Sequence, residues 1–186
     1  TSSPTSNPSS QPTAQPTDQP SSDSLTIITH FSGVTSNIGP IAAQLTLTND
    51  QNTQTYLSGT VIFNYTNQGY QTQVSLQNTN LQPNQKINLT LKGEKHLQRA
   101  YLNQSLSPTL NLTNKPQLAG DLFEPDGLSN QNDINKILLI TMKPNQTITE
   151  LDTADVNYDG IVNSIDLGIV LNTQKQQTRD ETLWHQ

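Results

Sequence analysis

The twelve residues DVNYDGIVNSID (155–166) stand apart in a chain otherwise rich in Gln, Asn, Thr and Ser. Numbered from Asp155, side-chain oxygens recur at loop positions 1 (Asp155), 3 (Asn157), 5 (Asp159), 9 (Asn163) and 12 (Asp166). Gly160 stands at position 6, where the chain must turn sharply, and Ile161 at position 7 can offer its backbone carbonyl. This spacing wraps successive oxygens around one ion, the last arriving from the first turn of a following helix. Hard oxygen donors without His or Cys select Ca2+ over zinc or copper. Without an ion the three carboxylates repel one another, and with one they become a cross-link. The competing reading is an Asx-rich turn that only caps a helix beginning near Ser164.

A second copy lies upstream. DGLSNQNDINKIL (126–138) aligns with DGIVNSIDLGIVL (159–171), and the apolar helix positions follow in register. Glu124, Asp126, Leu128 (through its carbonyl), Asn130 and Asp133 fall at positions 3, 5, 7, 9 and 12. Leu122 occupies position 1, and Asp121 lies one residue earlier, as if a residue had been inserted around Phe123 and Pro125. A second Ca2+ site of distorted geometry is expected here, the alternative being a metal-free structural half. Both copies carry the ligand positions of an EF-hand-type loop, but a full EF-hand also has a helix before each loop. KPNQTITELDTA (143–154) contains Pro144 and offers a turn or two at most, and NKPQLAG (114–120) has no helical period. Each unit is therefore a loop plus its exiting helix. The helices are expected to pack together through Ile134, Ile137 and Leu138 against Leu167, Val170 and Leu171.

Other segments must position these loops. Residues 1–24 form a Pro/Ser/Thr-rich tract with almost no apolar side chains, expected to be a disordered, extended linker. From 25 to 115 the period becomes two: Ile41, Ala43, Leu45 and Leu47 alternate with polar residues, as do Leu57, Val61, Phe63 and Tyr65, then Ile87, Leu89 and Leu91. Six or seven short strands separated by Asn/Gly/Pro turns predict an antiparallel, immunoglobulin-like β-sandwich. The calcium-loop region follows at 116–175, and residues 176–186 read as a C-terminal tail, either disordered or packed back on the body as a short segment. The fold class is mainly β with a small α part.

Composition excludes several functions. A net charge of −6 argues against nucleic acid, and no stretch has the length and apolarity for membrane insertion. Absence of cysteine removes disulfides and thiolate metal sites. His30, His96 and His185 are scattered, with no nucleophile or carboxylate at a motif spacing, so they read as surface residues and the chain as no enzyme. Five N-x-[S/T] sequons (Asn64, Asn88, Asn103, Asn111, Asn145) carry no weight in so Asn- and Thr-rich a sequence.

The second repeat, ADVNYDGIVNSIDLGIVLN (154–172), and the first, AGDLFEPDGLSNQNDINKILLI (119–140), resemble the type I-like tandem calcium-binding repeats of the dockerin family. LKGEKHLQRAYL (91–102) is similar to the β-sandwich modules that precede dockerin-like tails in bacterial surface and secreted proteins. The resemblance implies an extracellular or cell-surface module, stabilised by Ca2+ at two sites, for protein–protein docking or structural display. The implied partner is a cohesin-like domain, met near loop positions 10 and 11 by Gln131, Asn132, Ser164 and Ile165. The short PQLAG connection (116–120) favours a different contact, the repeat pair docked on its own β-sandwich. The alternative function is a carbohydrate-binding accessory module of a polysaccharide-degrading protein. Its stacking platforms would come from Phe31, Tyr56, Phe63, Tyr65, Tyr70 and Tyr101.

Overall fold

The computed structural model describes residues 24–34, 38–122 and 125–183. The expected linker thus lies, but for Ser24, outside the described residues, as do Glu124, Trp184 and His185. Seven strands come first: β1 (Ser24–Thr29), β2 (Ile41–Asn49), β3 (Thr55–Thr66), β4 (Gly69–Ser75), β5 (Lys86–Gly93), β6 (Arg99–Ser105) and β7 (Thr109–Asn111). Three helices follow: α1 (Gln131–Thr141), α2 (Ile148–Ala154) and α3 (Ser164–Gln176).

The strands are hydrogen-bonded in the order β6-β5-β2-β3-β4-β1-β7. β3 pairs with β2 from Thr55 to Phe63 and with β4 from Asn64 to Thr66. One long strand thus passes from one layer to the other, and the ribbon folds over on itself as a sandwich. The pairing is antiparallel except at one edge, where β7 runs parallel to β1 (Ile27 opposite Leu110). The expectation of a wholly antiparallel sandwich is corrected there. The short stretch 106–108 carries the chain from one outer strand, β6, to the other, β7, and brings β7 alongside β1 in the same direction.

Alternation decides what is buried. Leu45 and Leu47 of β2 face Leu91 and Leu89 of β5, and with Leu25 and Ile27 of β1 they are fully buried. Each such side chain contributes about 1.5–3 kcal/mol relative to exposure. Outward positions of the same strands carry polar pairs, Gln44 donating to Thr60 (2.6 Å) and Thr46 meeting Ser58 (3.2 Å). Phe31 sits at the end of this core, edge-on to Phe63 (5.7 Å), Tyr70 (5.4 Å) and His96 (5.0 Å).

The helical part has its own small core of Ala119, Leu122, Ile137, Ile140, Ala154, Val156, Val162 and Val170. Its helices run antiparallel. Gln174 near the end of α3 donates to the Asn130 carbonyl at the start of α1 (2.9 Å). Beyond the end of α1, Gln146 clamps Val162 by both backbone groups at 2.7 Å. Ile137 and Val170 are buried as expected, but Leu138 and Leu171 are not: both are about two-fifths exposed, because each lies one residue round from the buried stripe.

Candidate metal centre

Both loops fold around the same set of hydrogen bonds. In the second, Asp155 Oδ1 accepts from the N–H of Asp159 (3.1 Å) and Oδ2 from that of Gly160 (2.8 Å). Asp166 reaches back from α3: Oδ1 accepts from Val156 N–H (2.9 Å) and Oδ2 from Asn163 N–H (2.8 Å). Asn163 caps α3 and forms a reciprocal box with Asp166, satisfying backbone donors that the helix leaves open. Asn157 Nδ2 donates to Asp159 Oδ2 (2.8 Å), and Asp159 Oδ1 accepts from Ile161 N–H (3.0 Å). Gly160 has φ +88°, with open space where a Cβ would stand. Position 6 needs glycine for its backbone alone.

The first loop repeats this plan with one residue more. Asp121 takes the place of Asp155, accepting from Asp126 N–H (2.9 Å) and Gly127 N–H (3.2 Å). Asp133 takes the place of Asp166, accepting from Leu122 N–H and Asn130 N–H, both at 2.7 Å. Asp126 Oδ1 accepts from Leu128 N–H (2.9 Å), and Asn130 caps α1. Asp121 and Asp126 are five residues apart, against four for Asp155 and Asp159, so the extra residue lies between Asp121 and Asp126. Leu122, at the template's position 1, is buried in the small core.

The loops differ in charge. Lys92 of β5 places Nζ 2.5 Å from Asp121 Oδ2 and 2.7 Å from Asp180 Oδ2. Burial pulls the Lys92 ammonium down, but the two carboxylates outweigh it and the pKa is raised. In the second loop, among the described residues, no Lys or Arg side chain pairs with Asp155, Asp159 or Asp166. Burial raises the Asp166 carboxyl above the usual range, opposed only by N–H donors. Lys95 is close, yet its Nζ bonds the backbone carbonyls of Asp155 (2.7 Å) and Leu151 (3.3 Å), capping α2, and lies 4.1 Å over the Tyr158 ring.

The donor set of the second loop fits a hard cation: buried Asp155 and Asp166 without a cationic partner, with Asn157, Asp159 and Asn163 beside them. Among the described residues no three Asp, Glu, His or Cys side chains are gathered as a ready cage. The carboxylate oxygens rest instead on loop N–H groups, each oxygen keeping lone-pair capacity for a ligand. Gln131, Asn132, Ser164 and Ile165 are all exposed on the first turns of α1 and α3.

Several residues that seat this unit were missed in the sequence. His96, read as a surface residue, is fully buried beside Phe31, and neither ring nitrogen has a partner. Burial first, and then nearby Lys95, lower its pKa to about 3. The C-terminal segment, for which the sequence left open a disordered tail or a segment packed on the body, continues α3 at Gln176 and then forms a strap through Leu183. Asp180 N–H donates to Gly127 O (2.7 Å) while Asp180 Oδ1 accepts from Gln98 N–H (2.7 Å). Glu181 accepts from Arg99 (2.9 Å), Ala100 N–H (2.8 Å) and Lys115. With the bonds from Leu97 N–H to Leu118 O and from Gly120 N–H to Lys95 O, the strap seats the helical unit against the sandwich. The available signal was LKGEKHLQRAYL, which holds three of the nine basic residues within twelve positions. Of the proposed stacking aromatics, Phe31, Phe63, Tyr70 and Tyr101 are buried, Tyr56 is half-buried, and Tyr65 is exposed.

No protein-family model matches the sequence, and no characterised protein matches it. Among the solved structures similar in fold are two crystal structures. One is a C-terminal interface mutant of a type II cohesin–X–dockerin complex from Acetivibrio cellulolyticus (16% identity, TM-score 0.51). The other is an N-terminal interface mutant of a type II cohesin–X–dockerin complex from the same organism (17% identity, TM-score 0.50). In both, the likeness covers 80% of this chain and 93% of the other. The sandwich is about half of this chain, so the shared fold takes in helical residues as well.

Proposed function

We propose that this chain is a non-catalytic, extracellular docking module: a β-sandwich fused to a dockerin-like pair of loop–helix repeats, stabilised by Ca2+, that binds a cohesin-like domain. The observation that carries the reading is the second loop, where Asp155 and Asp166 are buried at positions 1 and 12 of the calcium template with no Lys or Arg salt-bridged to them among the described residues. Asp155, Asn157, Asp159, Asn163 and Asp166 would hold the ion with the Ile161 carbonyl, and the ion would supply the charge that the loop lacks. The fold shared with cohesin–X–dockerin complexes supports the docking role. So do the large apolar side chains that the helical unit leaves in solvent, among them Leu139 (65% exposed), Met142 (84%) and Ile165 (57%).

Titration calorimetry of the chain with a type II cohesin domain tests the reading. Binding in excess Ca2+, lost in chelator and weakened at least tenfold by Ile165→Asp, is expected. Absence of heat in both conditions overturns the cohesin assignment. The carbohydrate-binding alternative has little to stand on, since Tyr65, about two-fifths exposed, is the one ring classed as exposed among its candidate platforms.

A further inference from the structure

We propose that Lys92 of the sandwich stands in for calcium in the first repeat, so that the chain takes one Ca2+ ion, in the second loop. The inference rests on the calcium reading of that second loop. Two loops with the same backbone plan differ at their first carboxylate. Asp121, buried like Asp155 and accepting the same two turn N–H groups, has an ammonium 2.5 Å away. That ammonium is shared with Asp180, whose backbone N–H is bonded to the loop at Gly127 and whose other carboxylate oxygen is tied to Gln98. The first repeat is therefore closed by a Lys–carboxylate pair built from three segments: β5, the loop and the strap.

A dication bound by Asp121 would lie beside this ammonium. Lys92 cannot withdraw without depriving Asp180 Oδ2 of its ammonium and removing one of the ties between strap and sandwich. The inserted residue also lengthens the loop between its first and fifth ligand positions, where even spacing is needed to wrap one ion. In the second loop the nearest lysine does the opposite. Lys95 spends its hydrogen bonds on the Asp155 and Leu151 carbonyls and leaves the Asp155 carboxylate to a cation. The first half is thereby locked whether or not calcium is present, and the second alone responds to the ion.

Calorimetric titration of the chelator-stripped full chain with Ca2+ tests this, alongside Asp121→Asn and Asp155→Asn variants. One ion in the parent, retained in Asp121→Asn and lost in Asp155→Asn, is expected. Two ions in the parent, one of them lost in Asp121→Asn, would overturn the Lys92 assignment and leave the calcium reading standing. No ion in any protein would overturn both. A second measurement addresses the lock without calcium: in chelator, Lys92→Met should lower the urea midpoint by about 1 M or more. An unchanged midpoint would overturn the proposal.

Discussion

Acid should loosen this molecule through His96. The ring is fully buried between the sandwich and the helical unit, with neither nitrogen hydrogen-bonded, and its pKa is lowered to about 3, chiefly by burial and then by Lys95. In the unfolded chain it returns to about 6.5. Between those values the unfolded state holds a proton that the folded state refuses, so stability is fully present above pH 6.5 and is lost as pH falls below it. The slope is about 1.4 kcal/mol per pH unit, giving a loss of about 2 kcal/mol at pH 5.0. That is a large share of the ~5–15 kcal/mol typical of a domain. The assay is urea unfolding at pH 7.5 and 5.0 in chelator, for the parent and for His96→Leu, which keeps an apolar body in the site and cannot titrate. Asp121 and Asp166 have raised carboxyl pKa values, first through burial, and act in the opposite sense. They favour the folded state as acid protonates them, but they are present in both proteins and cancel in the comparison. The parent should lose about 2 kcal/mol more than the variant. Equal losses would refute the reasoning, because a ring that accepts its proton without unfolding is not sealed from water.

The two turn glycines should differ in cost. Gly160→Ala meets open space and costs only its backbone strain, about 1 kcal/mol, whereas an alanine at Gly127 (φ +77°) would bring Cβ to 2.9 Å from Asp180 Oδ2 and cost at least about 2 kcal/mol. Equal urea midpoints would show that the strap does not press on the first loop. Glu181→Ala removes the acceptor of Arg99, Ala100 N–H and Lys115 and should cost about 2 kcal/mol, read by the same unfolding. NMR relaxation should give one tumbling time for sandwich and helices, and two times would exclude the seated arrangement.

Local features of this fold were readable from the chain. The period-two runs of β2 and β5 lie where alternation put them, with Leu45, Leu47, Leu89 and Leu91 turned into the core, although the other face of β5 is also covered at Asn88 and Thr90. The start of α3 near Ser164 was readable too, because the carboxylates of the preceding loop bond N–H groups within eleven residues of themselves. Alternation failed at Tyr65: it is in phase with buried Phe63 yet exposed, because β3 changes partner between Phe63 and Asn64. The burial of Lys95 and His96 and the docking of Asp180 were also out of reach. Each depends on groups some 20 to 90 positions away, such as Asp155, Ala119 and Lys92, and leaves no periodicity in the local sequence.

The strap has a consequence for the order in which the fold is acquired. Several of its bonds join residues 82 to 131 positions apart (Asp180 to Gln98, Asp180 to Lys92, Leu183 to Asn52), among the longest loop closures between described residues. During synthesis the sandwich can close as soon as β7 emerges, and the two helical repeats can follow. The clasp between them waits for residue 183. Non-local closure of this kind is slow relative to local folding, so until it happens sandwich and helical repeats lack this clasp. In that state Lys92 can already meet Asp121 and Arg99 the Pro116 carbonyl, while their C-terminal partners Asp180 and Glu181 have not yet been made.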